Sequence, residues 1–265
     1  MKYACNISYE LIELLNKNPS ICDYIKIGAF GATKDMLDQA YTLKPLLIHG
    51  FGWHERGGMP STKEIDYDKI NQYIHKYKSP FIGIHSLCFP EDAKKIQSES
   101  VLEYMIQQFH RFDQQIHTEL LIENMDFNPY YEYPTTLVDT VRPWFLRELI
   151  EQTGLGLLLD ISHAKVSAYQ LGMDIQTYLE GLPLEKIREI HFSGTKFDKK
   201  LGVIDVHGIM EAEDYRIARY LQQRLEHLPS NHLEMITLEY GTIVAGSTDP
   251  KAITDQIHQL KTIFM

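Results

Sequence analysis

The chain has 265 residues, of which 44% are hydrophobic, 23% charged and 11% aromatic, a mix that excludes a disordered chain or a fibrous repeat and leaves enough apolar surface for a large core. The formal net charge of −10 argues against a surface that grips nucleic-acid backbones without sequence preference, although a local basic groove stays compatible with it. No run reaches the roughly 18 apolar residues of a membrane span, the opening Met1-Lys2-Tyr3-Ala4-Cys5 lacks a signal-peptide core, and Cys5, Cys22 and Cys88 form neither a zinc spacing nor a disulfide framework, so a cytoplasmic setting is expected.

Along the chain, short apolar runs alternate with longer helical patterns. Strands are expected at 3–8, 23–29, 45–50 and 80–86. A helix follows over 98–116, where Val101, Met105, Phe109, Phe112 and Ile116 recur at helical spacing. Further strands are expected at 118–124, 155–161, 187–193 and 235–240. The run Leu155-Gly156-Leu157-Leu158-Leu159 is continuously apolar, as in a parallel strand covered on both faces. Helices carry Ile217, Leu221, Leu225 and Leu228, then Ile253, Ile257, Leu260 and Phe264. Thr153-Gly154, Gly181-Leu182-Pro183 and Leu228-Pro229 read as helix stops. Long loops are expected at 51–64, 86–97, 125–137 and 194–210. Eight strands, each followed by a helix, is the count of a (β/α)8 TIM barrel, read as one domain over 1–265; a doubly wound open sheet is the alternative.

Six consecutive strands end in chemistry-bearing side chains: His49, His85, Glu123, Asp160 with His163 just beyond, His191, and Glu239. The segment after strand seven adds Asp205 and His207. In a barrel these ends converge on one mouth, where active sites of the fold lie. Imidazoles and carboxylates together are the ligand set for zinc, iron or manganese. Nine such groups exceed the needs of one ion and suit two or three, with carboxylates bridging. Taken singly, a His or Glu at a strand end is ordinarily a hydrogen-bonded polar cap. The joint pattern says otherwise, because five of the twelve histidines fall on these ends or in the segment after strand seven. His75, His110 and His258 fall on helices, where a solvated face is the default, and His54 near His49 is either a neighbour of the site or exposed.

Other features are less specific. The aromatic stretch 127–134 and Trp53 read equally as a substrate rim or as loops packed on their own rings. Glu211-Ala212-Glu213-Asp214 reads as the start of a helix, where carboxylates favour the dipole.

These residues resemble the xylose-isomerase-like barrels, which include endonuclease IV. The chain order His49, His85, Glu123, Asp160, His163, His191, Asp205, His207, Glu239 is similar to the set that holds three zinc ions in endonuclease IV. The text around them is closer to the multinuclear non-haem iron-dependent oxidases, among them the methanobactin-biosynthesis oxidase. That resemblance rests on Thr153-Gly154 with Leu157-Leu158-Leu159-Asp160, on 171–174, on Glu189-Ile190-His191-Phe192-Ser193-Gly194, on Asp205-Val206-His207-Gly208 and on Glu123-Asn124. Many members of that family carry Asn at the position of His163 and Glu-Trp-Asp at the position of Glu239-Tyr240-Gly241.

The resemblance implies one ion on His49, His85 and Glu123, a second on Glu123, Asp160, His191 and Glu239, and a third on His163, Asp205 and His207. It implies that Glu123, Asp160, His191 and Glu239 carry the catalysis, and that the metals are iron, with zinc or manganese as alternatives. The implied reaction is an oxygen-dependent oxidation of a peptide at cysteine, the peptide being delivered by a partner protein. Three other readings stand beside it: a metal-dependent phosphodiester hydrolase, a sugar isomerase or epimerase, and a metal-binding module without activity. A small-molecule or peptide substrate is expected, nucleic acid is disfavoured, and no membrane partner is expected.

Overall fold

The short apolar runs do form strands. In a computed structural model, which describes residues 1–28, 32–50, 65–94, 96, 100–132, 136–242 and 246–265, eight parallel strands close on themselves. They are β1 (Lys2–Asn6), β2 (Tyr24–Gly28), β3 (Leu46–His49), β4 (Phe81–His85), β5 (Glu119–Glu123), β6 (Gly156–Asp160), β7 (Ile187–Phe192) and β10 (Met235–Leu238). Their order round the barrel is β1-β10-β7-β6-β5-β4-β3-β2. This is the (β/α)8 barrel, and the open-sheet alternative falls because β1 pairs with both β2 and β10.

The strands alternate their side chains. One set faces the surrounding helices and includes Ile25, Ile48, Ile82, Ile84, Leu120, Ile122, Leu157, Leu159, Ile190 and Ile236, all buried. Between the strands lie α1 (Tyr9–Lys17), α2 (Lys34–Leu43), α3 (Tyr67–Tyr77), α4 (Pro90–Ala93), α5 (Val101–Asp113), α6 (Pro143–Thr153), α7 (Ile161–Gln170), α8 (Ile175–Glu180), α9 (Ala212–Glu226) and α10 (Pro250–Ile263). Met105, Phe109 and Phe112 of α5, and Ile217, Leu221 and Leu225 of α9, form the buried stripes that their spacing predicts. Ser8, Thr33 and Ser100 cap their helices by accepting from first-turn amides. Gly154 ends α6 at φ 73°, a left-handed position that suits glycine. The acidic run at 211–214 starts α9 through a reciprocal cap between Glu211 and Asp214.

The other set of strand side chains fills the barrel. Ala4, Leu47, Phe81, Leu121, Leu158 and Met235 pack together as an apolar plug contributed by six strands. Burial of each large member stabilises the fold by roughly 1.5–3 kcal/mol. The plug seals the barrel below the mouth, so polar groups above it are reached from one side only.

Two expected loops contain secondary structure. Residues 86–97 include α4. Residues 194–210 hold an antiparallel hairpin of β8 (Gly194–Asp198) and β9 (Gly202–Gly208). Its strands pair with each other and leave Phe197 and Val206 exposed, so no apolar run marks them. The turn is built locally: the Asp198 side chain accepts from the amides of Lys200 and Leu201 at 2.7 and 3.0 Å.

The expected loop at 51–64, with Trp53 and His54, lies outside the described residues, as do Tyr133 and Pro134 of the aromatic stretch. The part of that stretch that is described is anchored to its neighbours. The Phe127 amide donates to Ser167 Oγ, Asn128 donates to the Leu201 carbonyl, and Tyr130 is exposed. Among the described residues no helix is long and apolar enough to cross a membrane.

Candidate metal centre

Parallel register brings the strand ends level. Gly28 pairs with His49, His49 with Gly83, His85 with Glu123, Asp160 with His191, and Leu238 with Phe192 one residue before Glu239. His49, His85, Glu123, Asp160, His191 and Glu239 therefore share one mouth. Gly83 faces the same interior two residues before His85. A Cβ there would lie 2.4 Å from Leu158 Cδ1 and 3.3 Å from the His49 ring, so glycine leaves the room that the imidazole occupies.

Glu123 stands at the centre and is 1% exposed. Its two oxygens face different imidazoles. Oε2 lies 2.5 Å from His49 Nε2 and 3.1 Å from His85 Nε2. Oε1 lies 3.3 Å from His191 Nδ1 and 3.8 Å from His163 Nδ1. Three overlapping clusters result: His49, Glu123 and His191; His85, Glu123 and His163; Asp160, His191 and Glu239, each with donor atoms within 4.8 Å of one another.

Local structure aims the other groups. Asp160 ends β6 and caps α7, its Oδ1 accepting from the His163 amide at 2.7 Å. Its Oδ2 is buried without a hydrogen-bond partner and faces His191 Nδ1 at 3.7 Å. Asn124 clamps Asp160 from β5: its amide donates to the Asp160 carbonyl at 2.9 Å and its Oδ1 accepts from the Asp160 amide at 2.8 Å. The Asn124 carbonyl lies 2.9 Å from His163 Nδ1. With Nδ1 donating there, His163 presents Nε2 to Asp205 Oδ2 at 3.8 Å.

The hairpin supplies the last two groups. Asp205 Oδ1 accepts from the His207 amide and from Ser193 Oγ, which leaves Oδ2 facing the mouth. His207 Nδ1 lies 3.0 Å from the Glu239 carbonyl, and Nε2 lies 3.3 Å from Asp205 Oδ2. His207 adopts φ 45°, a left-handed conformation that costs energy for a residue with a Cβ. It is held there from two sides, since its own carbonyl accepts from the Gly241 amide at 2.9 Å.

Two buried charges were not among the residues picked from strand ends. Lys26 of β2 pairs with Glu239 Oε1, and Glu189 of β7 lies 3.0 Å from His191 Nε2 and accepts from Thr237. Both sit two residues before the end-of-strand position on an inward face. The visible signal was a charged residue in phase with the candidate ligands.

The electrostatics are those of crowded carboxylates. Burial works against the charged form of His163, but Asp160, Glu123, Asp126 and Asp205 outweigh it and push its pKa up to about 9. Burial and Lys26 likewise oppose charge on His191, yet Glu189, Asp160 and Glu123 raise it to about 10. Desolvation, with Lys26 beside it, lowers His49 to about 3. Against its own burial, Glu123 is held well below the usual carboxylate range by His85 and His49. The cluster therefore attracts positive charge to its centre. A cation fits this donor set: imidazole nitrogens, crowded carboxylates, a buried Asp160 oxygen without a hydrogen bond, and a plug that excludes water from below.

Residues 21–235 match the family described as RiPP precursor modification enzyme MbnB/TglH/ChrH. The chain belongs to this family. The match includes Lys26 and every candidate ligand except Glu239, which lies four residues beyond it. Curated relatives include a UPF0276 protein of Paraburkholderia phytofirmans, 34% identical over 63% of this chain and 55% of that protein. A second, from Caulobacter sp. strain K31, is 35% identical over 44% of this chain and 42% of that protein. The chain thus spans about half the length of these relatives.

Solved structures with the same fold include a D-tagatose 3-epimerase-like protein, with a TM-score of 0.61 at 15% identity over 100% of this chain and 98% of that one. Endonuclease IV from Thermus thermophilus gives 0.57 at 12% identity over 99% and 98%. The IOLI protein, whose structure has a bound zinc atom, gives 0.59 at 13% identity over 99% and 96%. These likenesses show the fold, an eight-stranded parallel barrel ringed by helices.

Proposed function

We propose that the chain is a metal-dependent oxidase that holds two or three iron ions at the barrel mouth and remodels a peptide at cysteine, with dioxygen as electron acceptor and the peptide thiol as electron donor. The observation that carries this reading is Glu123, whose Oε2 faces His49 and His85 while its Oε1 faces His191. One carboxylate serving two sets of nitrogen donors is the arrangement of a bridged metal pair.

His49, His85 and Glu123 would hold one ion, and Glu123, Asp160, His191 and Glu239 a second. His163, Asp205 and His207 surround a third position. Iron in such a set supplies Lewis acidity and one-electron redox chemistry. The protein's own part is to orient and to exclude water. Asn124 fixes Asp160 so that Oδ2 faces inward. Backbone carbonyls of Asn124 and Glu239 hold His163 and His207 with Nε2 toward Asp205. Lys26 offsets part of the carboxylate charge. A peptide enters from the open side, above the plug, and a partner protein delivers it. Cys5, Cys22 and Cys88, all buried and joined in no disulfide among the described residues, accord with a cytoplasmic setting.

A phosphodiester hydrolase is the second reading, favoured by one observation. His163 and His207 both present Nε2 to Asp205 Oδ2, which completes the nine-group set. The experiment that separates the two is purification without oxygen and elemental analysis, followed by oxygen uptake with cysteine-containing peptides. The expected result is at least two irons per chain, oxygen uptake, and a mass change in the peptide. Zinc in place of iron, with cleavage of abasic DNA and no oxygen uptake, would overturn the oxidase reading.

A further inference from the structure

The barrel interior changes character one layer below the mouth. Six strands place Ala4, Leu47, Phe81, Leu121, Leu158 and Met235 there or just beneath, all apolar. Two strands instead place Lys26 and Glu189, which are 4% and 1% exposed. A buried carboxylate in such a layer carries a desolvation cost that has to be matched by specific contacts. Glu189 has two: its Oε1 accepts from the Thr237 hydroxyl and lies 3.0 Å from His191 Nε2. Its charge also favours that of the buried Lys26 ammonium.

His191 is fully buried, and its two nitrogens see different surroundings. Nδ1 faces three carboxylate oxygens: Glu123 Oε1 at 3.3 Å, Glu239 Oε1 at 3.4 Å and Asp160 Oδ2 at 3.7 Å. Nε2 lies 3.0 Å from Glu189 Oε1, the contact of an ion pair. A neutral imidazole carries one proton, on one nitrogen or the other. A carboxylate beside Nε2 keeps the proton there and leaves the Nδ1 lone pair pointing into the carboxylate cluster. A carboxylate on the far side of a histidine also raises its basicity as a ligand and fixes its ring.

We propose that Glu189 is a positioning residue that commits His191 to bind metal through Nδ1, with Thr237 holding the Glu189 carboxylate in place. Glu189 touches neither metal nor substrate in this arrangement; it acts through His191. The inference rests on the metal-centre reading above.

The test measures the affinity of each ion by chelator competition on iron-loaded protein, for wild type, Glu189→Gln and Thr237→Val, with the Mössbauer spectrum of each. Outer carboxylates of this kind are worth about 10–100-fold in affinity. The expected result is a loss of that size in Glu189→Gln for one ion per chain, with altered parameters for that ion and the other sites unchanged. A smaller loss at the same ion is expected in Thr237→Val, which keeps the carboxylate and removes its anchor. Thermal unfolding of the same variants reports any general damage. Wild-type affinity and an unchanged spectrum in Glu189→Gln would overturn the inference, as would equal weakening of every ion. Should Glu189→Gln fail to fold, Thr237→Val decides by the same criteria. Failure of the underlying reading looks different: wild-type protein itself would bind no ion.

Discussion

Glu123→Gln keeps the size of the central side chain and removes its charge. The amide offers one oxygen where the carboxylate offers two, so His49 and His85 on one side and His191 on the other lose a shared anion. Occupancy is expected to fall at two positions together, read as metals per chain by elemental analysis; full stoichiometry in the variant would remove Glu123 as a bridge. His163→Asn tests the third position. Asp205 and His207 would remain, too few for tight binding. The expected result is one ion fewer per chain with the Glu123-bridged pair retained, and unchanged stoichiometry would take His163 out of the set. Both residues were legible in the sequence because Glu123 terminates a recognisable strand and His163 follows the end of another by three residues. Lys26 and Glu189 were not, because each lies inside a strand where an apolar residue is the default and only the period-two phase links it to the ligands.

The elements position the site through a few connections that can be broken one at a time. Asn124 joins the end of β5 to the end of β6 with two buried hydrogen bonds to Asp160. Asn124→Ala leaves the Asp160 amide and carbonyl without those partners, at a cost of about 1–3 kcal/mol per buried group. A lower denaturation midpoint with an unchanged slope is expected; a change below about 0.5 kcal/mol would mean that the clamp is dispensable. The β8–β9 hairpin carries Asp205 and His207 and closes against Gly194, where a Cβ would lie 2.1 Å from the Ile209 carbonyl oxygen. Gly194→Ala is therefore expected to displace the hairpin and to lose the third ion while the barrel pair stays loaded. Loss of all metal, or of none, would contradict that division. The hairpin was expected as a loop because its strands pair only with each other and bury no continuous apolar face. The eight barrel strands were legible for the opposite reason, since each is packed on both sides.

Across the whole molecule, the fold separates two tasks. The outer layer and the apolar plug stabilise the barrel, while the mouth gathers buried carboxylates that would repel one another without cations among them. The barrel and the six groups at its strand ends could be read from the sequence alone, because a parallel barrel brings those ends to one place whatever the loops do. Which group faces which could not, since that depends on caps, tautomers and the strained backbone at His207. The proposed function turns on a metal pair bridged by Glu123. The low-temperature Mössbauer spectrum of protein loaded with iron-57 under anaerobic conditions tests it most directly: magnetically coupled iron in wild type, lost in Glu123→Gln, is the predicted result, and isolated, uncoupled iron in wild type would contradict it.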